Sequence, residues 1–286
     1  MFKTCVAAGA AAVAAAALLA SGGAPAHQAY HQPSARFLAQ ARGALVRYLR
    51  HSHPTLMTAH PVGQHGPRAV TLSASYNWSG YADESTKTGT FTQAAGTWTT
   101  PAVTCTAEDT ITSEWVGLDG ATSATVEQDG TLDWCFEGVP TYFTWYEMYP
   151  NGTIEVGTTL QPGDAITASV TRSGTSYTLK LTDATTPANS FTEKASCPAA
   201  TCLDTSAEWI AERSSFSIGT APLADYGTWK LTNGTETASG KAGTIGSYAT
   251  VAEIEMVDAT DSYVLSTPSV LTAAKKGFTT TWDNSY

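Results

Sequence analysis

From residue 73 onward the chain is written in short β-branched alternations broken by glycine turns, and this pattern limits the fold more than any other feature. "DAITASVTRSGTSYTLKLTDATT" (164–186) alternates apolar and polar residues on both sides of a Ser173–Gly174 turn, the mark of a β-hairpin. "TGTFTQAAGTWTTP", "TYFTWYEMYP", "YGTWKLTNGTETASG" and "YATVAEIEMVDAT" read the same way, and "YPNGT" and "LQPGD" punctuate them. No stretch of a dozen residues here keeps a helical period, and no fixed-period repeat is present. Many short strands in one domain of this size predict an all-β fold, a β-sandwich of two large antiparallel sheets in a lectin-like jelly roll.

The N-terminal quarter is built differently. "MFKTCVAAGAAAVAAAALLA" carries one early charge and then a small-residue apolar run that ends near "APA" at Ala24–Ala26. It reads as a secretory signal peptide over 1–26. All six histidines lie before residue 66, and all 25 acidic residues lie from Asp83 onward. Residues 27–72 are therefore basic, His-rich and free of acid, and predict a propeptide. Within them "ARFLAQARGALVRYLR" (35–50) places Phe37, Ala41, Leu45 and Leu49 near one helical face, with most arginines elsewhere. The acidic domain on the same chain is the simplest partner for such a helix. From Asp83 on, nine basic residues face 25 acidic ones, a formal −16. Residues 73–286 predict one large domain.

Composition also excludes chemistries. With no histidine after His65, the domain lacks Ser-His-Asp and Cys-His catalysis and His-based zinc or non-haem iron sites. No paired CxxC suggests a Cys₄ zinc site and no glycine loop suggests a nucleotide. No metal and no cofactor is expected. The acidic balance argues against nucleic acid as a partner. Four cysteines, Cys105, Cys135, Cys197 and Cys202, lie in the domain. Exported chains pair such cysteines. Of three connectivities, 105–135 and 197–202 are favoured because both loops are short.

Carboxylates, amides and aromatics remain to act. In "SAEWIAER" (206–213) a strand would put Ala207, Trp209 and Ala211 on one face and Glu208, Ile210 and Glu212 on the other. Both faces carry apolar residues, so the glutamates are expected to be partly enclosed, the other reading being two surface glutamates on an edge strand.

Four stretches in this order resemble the glutamic peptidases, the eqolisin family of pepstatin-insensitive acid proteases: "NWSGY" (77–81), "WVGLDG" (115–120) with "EQDG" (127–130), "WYEMYP" (145–150) and "SAEWIAE" (206–212). The resemblance covers roughly 75–260. It implies a catalytic pair, with Gln128 matching the family glutamine and Glu208 the family glutamate. It implies substrate-cleft residues at Trp78, Trp115, Asp119, Trp145, Glu147 and Tyr149. It also implies polypeptide substrates and a secreted zymogen whose own propeptide inhibits it, with a mature form that is monomeric and free of the membrane. Two departures stand out. Asp129 follows Gln128 where the family has Thr, which would set a charge beside the proposed oxyanion donor. Met148 stands where an aromatic is common. Glu212 shares a face with Glu208 and is expected either to repel it or to serve structure alone.

Two other classes compete. "EIEMVD" (253–258) places Glu253, Glu255 and Asp258 near one strand, as a sandwich-fold glycoside hydrolase would place paired acids. A lectin-like module would use exposed tryptophans as sugar platforms.

Overall fold

A computed structural model of the protein describes residues 30–50, 59–65, 70–199, 201–216, 219–247 and 250–286. The expected signal peptide and part of the expected propeptide lie outside them. One helix precedes the strands: α1 (Ala35–Arg50). The strands that matter here follow in chain order as β1 (Ala59–His65), β2 (Val70–Ser75), β3 (Trp78–Glu84), β4 (Phe91–Thr99), β5 (Thr110–Leu118), β6 (Val126–Phe136), β7 (Val139–Tyr149), β8 (Ile154–Glu155), β9 (Ala165–Ser173), β10 (Ser176–Asp183), β11 (Phe191–Ser196) and β12 (Ser206–Glu212). Short pieces at β13 (Ser215–Phe216) and β14 (Gly219–Thr220) lead to β15 (Thr228–Ala238), β16 (Lys241–Thr244) and β17 (Thr250–Val257). The nearly all-β content and large antiparallel sheets match the expected β-sandwich.

The first sheet runs β1-β2-β17-β3-β12-β5-β6-β7-β8, antiparallel except where β17 meets β2. The second runs β11-β10-β9-β4-β15-β16. In the second sheet β9 and β10 alternate buried and exposed residues, so one face packs inward and the other meets water. In the first sheet every residue of β5, β6 and β12 is buried. One face of these strands packs on the second sheet: Trp209 Nε1 donates to the Ala95 carbonyl at 2.8 Å, and Trp98 Nε1 to Thr131 Oγ1 at 3.1 Å. The opposite face is covered by α1. Ala41, Ala44 and Leu45 are buried there in one apolar cluster with Trp78, Trp115, Trp134, Phe136, Trp145 and Ile210. Of the amphipathic stripe read from the sequence, Ala41 and Leu45 are buried and Phe37 packs against the same cluster, and the domain is the surface that receives them. Burial of this kind contributes roughly 1.5–3 kcal/mol per large apolar side chain.

The disulfides are Cys105–Cys135 and Cys197–Cys202, with Cα separations of 5.4 and 5.8 Å. The first ties the segment before β5 to the end of β6. The expected boundary at residue 72 falls inside β2, whose first residue is Val70. No helix among the described residues is long and apolar enough to cross a membrane.

Candidate active site

The register of four neighbouring strands builds the site. Glu208 on β12 pairs with Ala82 on β3 and with Gly117 on β5. Gly117 pairs with Gln128 on β6, and Gln128 with Glu147 on β7. Residues directly opposite one another share a face, so Glu208, Gln128 and Glu147 stand in a single row. The next row on that face is Ile210, Trp115, Gly130 and Trp145, and the third holds Trp78, Glu212, Ser113, Leu132 and Phe143. Trp78 and Trp115 meet edge to face, with centroids 4.9 Å apart.

Gly117 leaves no side chain between Glu208 and Gln128. Two strand spacings separate their backbones, about 10 Å. A methyl on Gly117 would sit 2.9 Å from Trp115 Cζ3 and 3.3 Å from Gln128 Cβ. The glycine therefore keeps both the tryptophan stacking and the space over the row. Gly130 answers a tighter demand: a Cβ there would lie 2.1 Å from the Glu114 carbonyl.

The Gln128 amide is held by its neighbours. Its Nε2 donates to Glu147 Oε2 at 2.7 Å, and Thr153 Oγ1 donates to the other Glu147 oxygen at 2.7 Å. A primary amide has two N–H bonds, so one hydrogen is fixed on Glu147 and the second stays available. Burial pushes the Glu147 carboxyl up to about 7, and the bonds from Thr153 and Gln128 pull it back in part. Glu208 is fully buried, and desolvation raises its carboxyl well above the usual range. The Asp119 and Glu127 carboxylates raise it further, while the Ser206 hydroxyl and the Ala121 amide lower it.

Glu212 is held by the tryptophan of the next row. Its Oε2 accepts from Trp115 Nε1 at 2.8 Å, and burial followed by the Glu147 charge lifts it to about 8. The structural option is the one the geometry supports: Glu212 holds the Trp115 ring. Asp119 is fully buried behind the end of β5 and takes the backbone amides of Asp204 and Thr205 at 2.7 and 2.9 Å. It thereby fixes the segment that leads into β12. Tyr149 ends β7 and packs, partly buried, against the helix-covered cluster.

Asp129 does not stand beside the Gln128 amide. Strand alternation turns it to the opposite face, where it is fully buried and desolvation raises its carboxyl well above the usual range. Met148 is buried on that same inward side, so its effect is on packing between the sheets. Glu253 and Glu255 also face away from the row, since Ala252 and Ile254 are the β17 residues paired with Ala82 and Gly80. Glu253 accepts from the Tyr81 hydroxyl at 2.7 Å, and Asp258 accepts the amides of Thr260, Ser262 and Tyr263 in a turn. With Glu253 held by Tyr81 and Asp258 held in its own turn, the glycosidase reading is not favoured. Thr153 and Gly117 were not singled out in the sequence. Thr153 lies in a loop, and the role of Gly117 follows only from register.

A family model described as the Peptidase A4 family matches residues 76–277. Aspergillopepsin-2 of Aspergillus niger is 34% identical over 167 residues, 57% of this chain and 57% of that protein. Scytalidopepsin B of Scytalidium lignicola is 36% identical over 103 residues, 34% of this chain and 38% of that protein. The matched region thus spans from about two fifths to just over half of these relatives' length. Among solved structures, scytalido-glutamic peptidase with a peptide-based transition state analog aligns with a TM-score of 0.60 at 22% identity, over 73% of this chain and 98% of that one. Aspergilloglutamic peptidase from Aspergillus niger aligns with a TM-score of 0.53 at 25% identity, over 61% of this chain and 99% of that one.

Proposed function

The chain belongs to the Peptidase A4 family, and on that premise we propose that it is a secreted acid endopeptidase that hydrolyses peptide bonds with Glu208 and Gln128. The observation that carries this reading is the row itself: a buried carboxyl and an anchored amide on one face, separated by a glycine. Glu208 takes a proton from the attacking water and later delivers one to the leaving amine nitrogen. General acid–base work of this kind is worth roughly 10²–10⁴ in rate. The free N–H of Gln128 donates to the oxygen of the tetrahedral intermediate, worth roughly 10²–10³ per donor. An amide keeps its donor at any pH, which suits acid. Trp78, Trp115, Trp145, Glu147 and Tyr149 form the surrounding substrate cleft. Asp119 acts at one remove, by holding the start of the Glu208 strand.

The pro-region serves as an intramolecular inhibitor. Helix α1 packs over Trp115, Trp145 and Ile210, one row from the catalytic pair. A helix satisfies its own backbone hydrogen bonds, so it occupies the cleft without presenting an extended peptide for attack. Arg42 Nε lies 3.2 Å from Glu155 Oε1, and Gln40 Nε2 donates to Glu137 at 3.4 Å. Burial raises the Glu155 carboxyl and Arg42 lowers it in part. Acid therefore protonates Glu155 and removes the ion pair. Release opens the row, and the mature enzyme acts as a monomer. Secretion fits the N-terminal leader pattern and the two disulfides.

The test is turnover of denatured casein in acid by processed wild type and by Glu208→Gln. Loss of turnover in a folded variant supports the reading. Retained turnover sinks it.

A further inference from the structure

Behind the catalytic row a second group of side chains converges. Asp119 follows β5, Glu127 sits on β6 next to Gln128, and Asp204 precedes β12. One carboxylate oxygen from each lies within 4.8 Å of the other two, and all three residues are buried. Arg172 from β9 faces them with Nε 3.1 Å from Asp204 Oδ2, and the Tyr177 hydroxyl from β10 donates to Asp204 Oδ1 at 2.6 Å. Three carboxylates against one guanidinium leave a formal −2 in a buried site.

The donor count singles out Glu127. Asp119 receives the Asp204 and Thr205 amides, with longer contacts from the Thr205 and Thr125 hydroxyls at 3.2 and 3.4 Å. Asp204 has Arg172 and Tyr177. Glu127 is 0% exposed and neither of its oxygens has a well-formed hydrogen bond; the Thr125 hydroxyl beside it eases its burial only in part and donates to Asp119 at 3.4 Å. A buried carboxyl group left without a partner is costly, yet this one points into a group of two others.

We propose that Asp119, Glu127 and Asp204 form a binding site for one divalent cation of the calcium class. Oxygens within 4.8 Å of one another need at most a small inward shift to meet a single ion at the 2.3–2.6 Å typical of calcium. An all-oxygen set of carboxylates suits a hard cation and not zinc or copper. A 2+ charge cancels the residual −2. Magnesium retains its waters more strongly and requires octahedral geometry, so an enclosed protein site favours calcium. The ion would join three segments, the end of β5, the start of β6 and the lead into β12, and those segments carry Gly117, Gln128 and Glu208. The proposed chemistry requires no step through the ion, although a cation on Asp119 and Glu127 would offset the raising effect those two carboxylates have on Glu208.

The test uses the full chain in mildly acidic buffer after exhaustive chelation. Calorimetric titration with CaCl₂ should show one site with a Kd in the range of about 10⁻⁵–10⁻³ M, and the melting temperature should rise with calcium. Magnesium should bind at least tenfold more weakly. Terbium should bind in place of calcium with emission sensitised by Tyr177, and calcium should displace it. Glu127→Gln should remove the calcium response, whereas Asp261→Asn, an exposed acid elsewhere, should leave it unchanged. Absence of calcium binding and terbium emission in the wild type overturns the proposal, as does a calcium response that survives in folded Glu127→Gln. If Glu127→Gln fails to fold, Asp204→Asn is read in the same way, and the wild-type titration decides by itself.

Discussion

Gln128 Nε2 donates to Glu147 Oε2 at 2.7 Å, and this bond sets the plane of the amide that faces Glu208 across Gly117. Glu147 is itself held by Thr153 at 2.7 Å. Glu147→Ala leaves the amide free to rotate and should lower kcat by roughly 10²-fold, the scale of losing one oriented donor. Thr153→Val should cost less, about tenfold, because one anchor of Glu147 remains. Equal kcat in wild type and folded Glu147→Ala would show that the bond does not position the donor.

The pH dependence of stability follows from the buried carboxyls. Burial holds Glu147 at about 7, Glu212 at about 8, Glu114 at about 8 and Asp83 at about 7, all above the roughly 4–4.5 of an unfolded chain. The folded protein therefore binds more protons than the unfolded one between those limits. Stability is fully present below about pH 4 and is lost as pH rises through 7–8. The melting temperature should fall by roughly 10 °C or more between acid and neutral buffer, given a few °C per kcal/mol for a domain of this size. A melting temperature that rises from pH 4 to 7 would contradict this.

Asp83 and Glu236 give a local version of the same effect. Both are fully buried, Asp83 on the first sheet and Glu236 on the second. Burial raises both carboxyls, and Gly246 N donates to both Asp83 oxygens at 2.9 and 3.0 Å. Desolvation comes first and the Asp83 charge second in pushing Glu236 up to about 10. Glu236→Gln keeps a donor toward Asp83 without a proton to lose. Its melting temperature should match wild type in acid and exceed it by a few °C near neutrality. Identical pH profiles for the two proteins would refute the role assigned to the pair.

The covering helix makes a kinetic prediction. Leu45 is 1% exposed within the cleft cluster. Leu45→Asp buries a charge among tryptophans and should release α1, so that precursor matures several-fold faster after acidification. Arg42→Ala removes one ion pair with half-exposed Arg42 and should raise the pH at which processing begins by a smaller margin. Processing of both variants at the wild-type rate, followed by gel and mass spectrometry, would exclude α1 as the inhibitory element.

Sequence and structure agree where a local signal was strong. Alternation around Ser173–Gly174 gave the β9–β10 hairpin, and the apolar stripe of residues 35–50 gave α1 with the right face inward. The enclosed character of Glu208 could be read because Trp209 and Ile210 flank it. Other features depend on pairing across distant segments. Glu114, Glu127, Asp129 and Asp133 alternate with apolar or small residues in β5 and β6, as on a half-exposed strand. They are buried because that face packs against the second sheet, where Trp98 reaches Thr131 and Trp209 reaches Ala95. Gly117 gains its place between Gln128 and Glu208 only through register. Val70–Leu72 of β2 pair with Val251–Glu253, and a strand joined in parallel to a remote partner leaves no hairpin signal in the sequence.

The central claim is that Glu208 and Gln128 act as a pair. The most direct measurement is the pH profile of kcat/KM for a chromogenic peptide with processed wild type, Gln128→Ala and Gln128→Glu, with circular dichroism verifying the fold. Gln128→Ala should lose roughly 10²–10³-fold at every pH. Gln128→Glu should keep part of its activity at low pH, where a protonated carboxyl still donates, and lose it as that group ionises. A folded Gln128→Ala enzyme that cleaves at near the wild-type rate, or a Gln128→Glu profile with the same shape as wild type, would contradict the mechanism.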